Sequence, residues 1–275
     1  MFIWRSLLVR AIAVLAMLLG GAARSETAFS RLVVFGDSLS DTGNAGRFSN
    51  GSVWVEVLAR RMNVTLKPSQ AGGLNFAVGG ARLDPRSGSH SLRAQADLFL
   101  KRPRQDGRTL HVVYGGGNDL LAAVGHPHAS AMVEAAAASL HAIVADLVEH
   151  GATDILVPNL PDIGITPEIR ARGPQAVRAA RALTVAFNSA ADRRLSALMT
   201  SRSGPLRIYR LDVYALAERV IRDPAGFGFV EIAKPCSRSS RCEGYLFWDR
   251  VHPTAQAHRR LAEAALSAVL TQGTR

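Results

Sequence analysis

Cysteine is scarce in this chain: Cys236 and Cys242 are the only two among 275 residues. That excludes a small domain held by several disulfides. Two thiolates without a neighbouring histidine pair also do not complete a four-ligand zinc shell. Beyond residue 25 there is no apolar run of the roughly 18–20 residues that span a bilayer. No basic stripe is interleaved with aromatics, so no nucleic-acid partner is expected. The Gly115-Gly116-Gly117 run lacks the Gly-Lys-Ser/Thr ending of a nucleotide-phosphate loop. The Gly-x-Ser-x-Gly elbow of the α/β-hydrolases is absent as well. Internal repeats and low-complexity linkers are missing, which points to one domain over residues 28–274.

Acidic residues are outnumbered, 22 against 33 basic ones, for a formal charge of +11. Three of the basic residues, Arg5, Arg10 and Arg24, fall in residues 1–25, so the remainder carries 30 minus 22, or +8. The excess is mostly arginine and scattered, as on a solvated surface. It also suits a peripheral contact with an anionic membrane surface. Apolar residues make up 48% of the chain, enough for a sizeable core. The first 25 residues have a basic start, an unbroken apolar run over residues 11–19 and small residues after it. This is the pattern of a secretory signal peptide, cleaved near Ala23 or Ser25. The alternative, a membrane anchor, would need a longer apolar core. A periplasmic or secreted location follows, and there two nearby cysteines in a Pro- and Ser-rich loop are expected to pair.

Strand and helix signals alternate. Short apolar runs at 32–35, 74–77, 110–114, 154–157 and 206–211 read as strands. Helical patterns fall at 54–61, 92–100, 131–150, 174–199, 213–221 and 254–270, with Thr254 as a candidate N-cap. The expectation is an α/β fold: a flavodoxin-like three-layer α/β/α sandwich on a five-stranded parallel sheet. Ligands of such sheets bind beyond the carboxyl ends of the strands.

Ser38 follows the first strand within Gly36-Asp37-Ser38-Leu39-Ser40-Asp41-Thr42-Gly43-Asn44, ahead of a stretch that could start a helix. A serine at such a turn exposes its hydroxyl beside backbone N–H groups. His252 and Asp249 sit three residues apart before Pro253, so one loop can carry an imidazole and the carboxylate that orients it. A plain N-cap serine and a surface histidine are the bland alternatives. Asp37 and Asp119 are expected to hold their loops by accepting backbone N–H bonds. His126 and His128 flank Pro127 without further metal ligands nearby.

Four segments occur in a telling order: Gly36-Asp37-Ser38-Leu39, Asn75-Phe76-Ala77-Val78-Gly79-Gly80, Gly116-Gly117-Asn118-Asp119 and Asp249-Arg250-Val251-His252-Pro253. Together they resemble the four blocks of the SGNH (GDSL) hydrolases, over roughly residue 32 to the end. Asn75 to Ala81 and Tyr245 to Asp249 further resemble the secreted bacterial lipase/esterase branch. The resemblance implies Ser38 as nucleophile, His252 and Asp249 as base and acid, and an oxyanion hole of the Ser38 N–H, the Gly80 N–H and the Asn118 amide. Gly79 is the neighbouring candidate for the middle donor. It implies a secreted serine lipase/esterase acting on a lipid, short-chain or sugar ester, with no cofactor and no metal. An acyltransferase would use the same residues, with an alcohol in place of water. A non-catalytic binding module is the reading from outside enzymology, and the intact set speaks against it. The segment after the last block has the length of one helix, so no C-terminal β-barrel is expected. Nothing in the motifs specifies an oligomer.

Overall fold

The computed structural model describes residues 29–104, 107–236 and 242–273. The signal-like segment 1–25 lies outside them, as do residues 28 and 274 at the expected domain ends. Strand β1 (Arg31–Gly36) is, after Arg31, a continuous run without polar side chains, buried on both faces. Such a strand is stable only in the middle layer of a sandwich. It pairs in parallel with β2 (Thr109–Tyr114), which pairs with β3 (Asp154–Pro158), which pairs with β4 (Arg207–Leu211). Helices fill every crossover: α1 (Trp54–Arg61) and α2 (Leu92–Leu100), then α3 (Gly117–Ala123) and α4 (Ala129–Glu149), then α5 (Pro167–Arg170) and α6 (Pro174–Ser201). After β4 come α7 (Val213–Arg222), a small parallel pair of β5 (Glu231–Pro235) and β6 (Tyr245–Phe247), and α8 (Ala255–Gln272). Thr254 caps α8, its hydroxyl accepting the Ala257 N–H, as its position suggests.

Helix α4 is long and apolar enough to cross a membrane. Its apolar stripe is nevertheless spent inside the domain: Val133, Ala136, Leu140, Ile143, Val144 and Leu147 are buried at spacings of three and four.

The sheet has four strands rather than the expected five. Residues 74–78 do lie beside β1 in the parallel sense. Val34 N–H donates to Leu74 O at 3.0 Å, Phe76 N–H to Val34 O at 2.8 Å and Val78 N–H to Gly36 O at 3.1 Å. One rung is diverted, however. The Gly36 N–H, which a regular ladder would send to Phe76 O, donates instead to Gln95 Oε1 at 2.9 Å. Gln95 Nε2 donates back to Gly36 O at 2.9 Å and to His90 O at 3.0 Å. The Ala77 N–H, on the side away from β1, donates to Asn75 Oδ1 at 3.0 Å. The segment is therefore a bonded edge with a side-chain-stitched break. With it counted, the order is the flavodoxin-like 2-1-3-4-5. Among the described residues, the β5–β6 pair is a second departure, since that region reads as loop from sequence. Cys236 and Cys242 are joined by a disulfide, with Cα atoms 5.3 Å apart.

Gln95 thus substitutes for a strand at the point where β1 ends. Gln95→Leu leaves the buried Gly36 N–H without an acceptor, and the unfolding free energy should fall by about 1–3 kcal/mol. Urea denaturation followed by circular dichroism measures it. A midpoint equal to that of the unsubstituted protein would contradict this account of the edge.

Candidate active site

The chain leaves β1 in a turn and does not begin a helix. Ser40 and Asp41 N–H groups both donate to Asp37 O at 3.0 Å. The next N–H groups are claimed by a side chain. Asp41 Oδ1 accepts from Gly43 and Asn44, and Oδ2 from Ala45 and Gly79, at 2.7–3.0 Å. The Ser40 carbonyl, which a helix would need, takes the Asn75 amide at 2.8 Å. With its donors and acceptors committed sideways, the segment stays a loop. Ser38 sits at its tip, 6% exposed.

Ser38 Oγ lies 2.9 Å from His252 Nε2, and His252 Nδ1 lies 2.7 Å from Asp249 Oδ2. Asp249 Oδ1 accepts the N–H groups of Val251 at 2.8 Å and His252 at 2.6 Å. Burial works against ionising Asp249, yet the bonds from the His252 ring and from these two N–H groups hold it below the ordinary carboxylate range. Three residues thus form one hydrogen-bonded chain although 214 positions separate Ser38 from His252.

The loop before α1 anchors the histidine segment. Ser49 Oγ donates to Pro253 O at 3.0 Å, and Ala255 N–H donates to Asn50 Oδ1 at 2.8 Å. The Phe48 ring tilts over the His252 ring with centroids 5.3 Å apart. A Cβ on Gly79 would come within 2.3 Å of that same Phe48 ring, so any other residue there would displace the ring. The two adjacent glycines differ in how their N–H groups are used. The Gly79 N–H is taken by Asp41. Among the described residues no acceptor takes the Gly80 N–H.

Asn118 occupies the first turn of α3, a helix that the glycines conceal in the sequence. Gly116 starts it with φ +109°, where a Cβ would also strike Phe187 at 2.7 Å. Asn118 Nδ2 donates to Ala81 O at 2.9 Å, tying α3 to the turn that carries Gly80. Asp119 accepts the Leu83 and Asp84 N–H groups at 2.9 and 3.1 Å, the loop-holding role expected of it. Ser38, Asn118 and His252 open into one apolar cavity. Phe48, Asn44, Asn75 and Gln95 were not singled out in the sequence as builders of this site. Asn44 and Asn75 lie inside the motif blocks, which is the signal that could have found them. No group of histidine, cysteine and acidic residues able to hold a metal occurs among the described residues.

Asp37, beside Ser38, is fully buried, and burial pushes its carboxyl up to about 6. A carboxyl whose folded pKa exceeds its unfolded one opposes folding when ionised. The cost is absent below the unfolded value of 3.8 and complete above about 6. Asp37→Asn should therefore stabilise the protein by about 2–3 kcal/mol at pH 8, with the gain vanishing between pH 6 and pH 4. Paired denaturation curves across pH measure this. A gain independent of pH, or none, would contradict the assignment.

The profile of the family described as GDSL-like Lipase/Acylhydrolase matches residues 32–265. The phosphatidylcholine-sterol acyltransferase of Aeromonas hydrophila is 28% identical over 91% of this chain and 93% of its own. Lipase 1 of Photorhabdus luminescens is 34% identical over 54% of this chain and 25% of its own. The thermolabile hemolysin of Vibrio parahaemolyticus is 27% identical over 89% and 65%. Among solved structures the fold is similar to LAE5, an α/β hydrolase from the metagenome of Lake Arreo, with TM-score 0.54, 21% identity and coverage of 88% and 96%. It is also similar to Axe2, an acetylxylan esterase of Geobacillus stearothermophilus, with TM-score 0.52, 18% identity and coverage of 88% and 96%. With these matches beside the site geometry, the chain belongs to the GDSL-like lipase/acylhydrolase family, hydrolases acting on ester bonds.

Proposed function

We propose that this is an exported serine esterase/lipase whose reaction runs through an acyl group on Ser38. The observation that carries the reading is the unbroken hydrogen-bonded chain from Ser38 Oγ through the His252 ring to Asp249. Asp249 accepts the Nδ1–H of His252, which fixes the tautomer with Nε2 free to receive a proton. Ser38 Oγ attacks the ester carbonyl carbon while its proton passes to His252 Nε2. The carbonyl oxygen becomes an oxyanion facing the N–H groups of Ser38 and Gly80 and the second hydrogen of the Asn118 amide. The imidazolium, stabilised by Asp249, protonates the departing alcohol and leaves an acyl-Ser38. Water then repeats the sequence with His252 as base, releasing the acid and restoring the hydroxyl.

The domain would span residues 28–274, after a signal peptide of residues 1–25. The Cys236–Cys242 disulfide fits an oxidising compartment beyond the cytoplasm. The net positive charge would favour approach to anionic membrane surfaces. A second reading, acyl transfer to an alcohol, is favoured by the similarity to the Aeromonas acyltransferase along nearly the whole of both chains. Product analysis with and without an alcohol acceptor separates the two.

Ser38→Ala should remove ester turnover while leaving the circular dichroism spectrum unchanged. His252→Ala should cost a similar factor, and the double variant little more than either alone, because the two groups act as one unit. Losses that add in the logarithm of kcat/KM would overturn the assignment. Since His252 must be neutral to accept the proton, the wild-type rate should fall toward acid pH.

A further inference from the structure

Resting on the reading of Ser38 as nucleophile, we propose that the cavity beside it is a slot for a straight aliphatic acyl chain of medium length. Two helix faces contribute to its walls, beside apolar residues of the 160–165 segment and of β6. Val213, Leu216, Ala217 and Val220 recur at i, i+3, i+4 and i+7 along α7, and Ala257 and Leu261 stand one turn apart on α8. Ser38, His252 and Asn118 line the same cavity. An acyl group on Ser38 therefore enters a cavity lined by hydrocarbon.

Away from Ser38, the polar side chains Asp162, Thr166 and Arg260 of the lining already have partners within the protein. Asp162 binds Arg181 at 2.9 Å and accepts the Gly164 N–H at 2.8 Å. Thr166 Oγ1 donates to Ile163 O at 2.8 Å. Arg260 donates to Phe227 O at 3.3 Å and pairs with Glu263 at 3.1 Å. A sugar ring placed here would lose hydration of its hydroxyls without regaining partners. Methylenes would gain by leaving water, each raising kcat/KM about fourfold. The α7 stripe from Val213 to Val220 covers seven helical rises, about 10 Å. At about 1.2 Å per bond, as in an extended backbone, that length accommodates roughly eight carbons.

The test is a kcat/KM series on p-nitrophenyl acetate, butyrate, octanoate and palmitate, beside acetylated xylo-oligosaccharide. The expected profile rises to octanoate and falls at palmitate, with the acetylated sugar well below octanoate. Leu216→Trp and Ala217→Leu, which fill the slot, should each lower the octanoate-to-acetate ratio at least tenfold. The ratio is taken within one preparation, so partial loss of folded protein does not move it. If Leu216→Trp does not fold, Ala217→Leu decides alone. A profile that is flat or highest at acetate, faster turnover of the sugar ester, or an unmoved ratio in the folded variants would overturn the slot. Absence of turnover on every ester, together with an unlabelled Ser38 under a fluorophosphonate, would instead overturn the nucleophile reading beneath it.

Discussion

The buried carboxylate of Asp41 is the interaction on which the site depends. Its two oxygens accept four backbone N–H groups, from Gly43, Asn44, Ala45 and Gly79. Three belong to the loop that follows Ser38, and the fourth belongs to the turn that presents Gly80. One anion therefore sets the spacing between the proposed nucleophile and a proposed oxyanion donor. Asn44 and Asn75 repeat the link with neutral groups. Asn44 Nδ2 donates to the Asn75 and Ala77 carbonyls at 2.8 and 2.9 Å, and Asn75 Nδ2 to Ser40 O and Thr42 Oγ1 at 2.8 and 2.9 Å. Such a network, satisfied and partly buried, favours one arrangement and resists drift.

The histidine arrives from the far end of the chain and needs a separate anchor. The 47–54 region supplies it. Arg47 pairs with Glu56, Ser49 and Asn50 hold the entry to α8, and the Trp54 N–H donates to His258 Nδ1 at 3.2 Å. That bond requires His258 to be neutral, and burial drives its pKa down to about 3. The disulfide and the β5–β6 pair sit immediately before Asp249, and the Cys236 N–H donates to Phe247 O at 3.0 Å. Asp249 and His252 are thus fastened on both sides, to α1 and its preceding loop on one and to the small sheet on the other. Asp37 adds a cost of the kind that functional sites carry, a carboxyl kept out of water beside Ser38.

Much of this arrangement is legible in the sequence because it is local. The run Leu32-Val33-Val34-Phe35 has no polar residue to compete with a buried strand. Asp249 and His252 lie on one short loop, so their contact follows from spacing. Thr254 announces its helix by position and hydroxyl. What escapes the sequence is what distant residues decide. Residues 74–78 have a strand's composition, but Gln95 takes the rung that would complete the ladder. Ser38 precedes residues able to start a helix, but Asp41 and Asn75 take the groups a helix would use. Gly116 and Gly117 read as loop, yet α3 forms because Asn118 and Asp119 are tied to residues 81–84. Phe48 gives no local sign that it packs on both Gly79 and His252. The apolar cavity is lined by both α7 and α8, which no window of sequence contains.

The central claim is that Ser38, His252 and Asp249 form one nucleophilic unit poised for acyl transfer. Its most direct measurement is the rate and position of labelling by a fluorophosphonate, read by intact mass and peptide mapping across pH. The account predicts one label per chain, on Ser38, with a rate that falls toward acid pH and drops at least about a hundredfold in His252→Ala. A label on another residue, or an undiminished rate in His252→Ala, would contradict it.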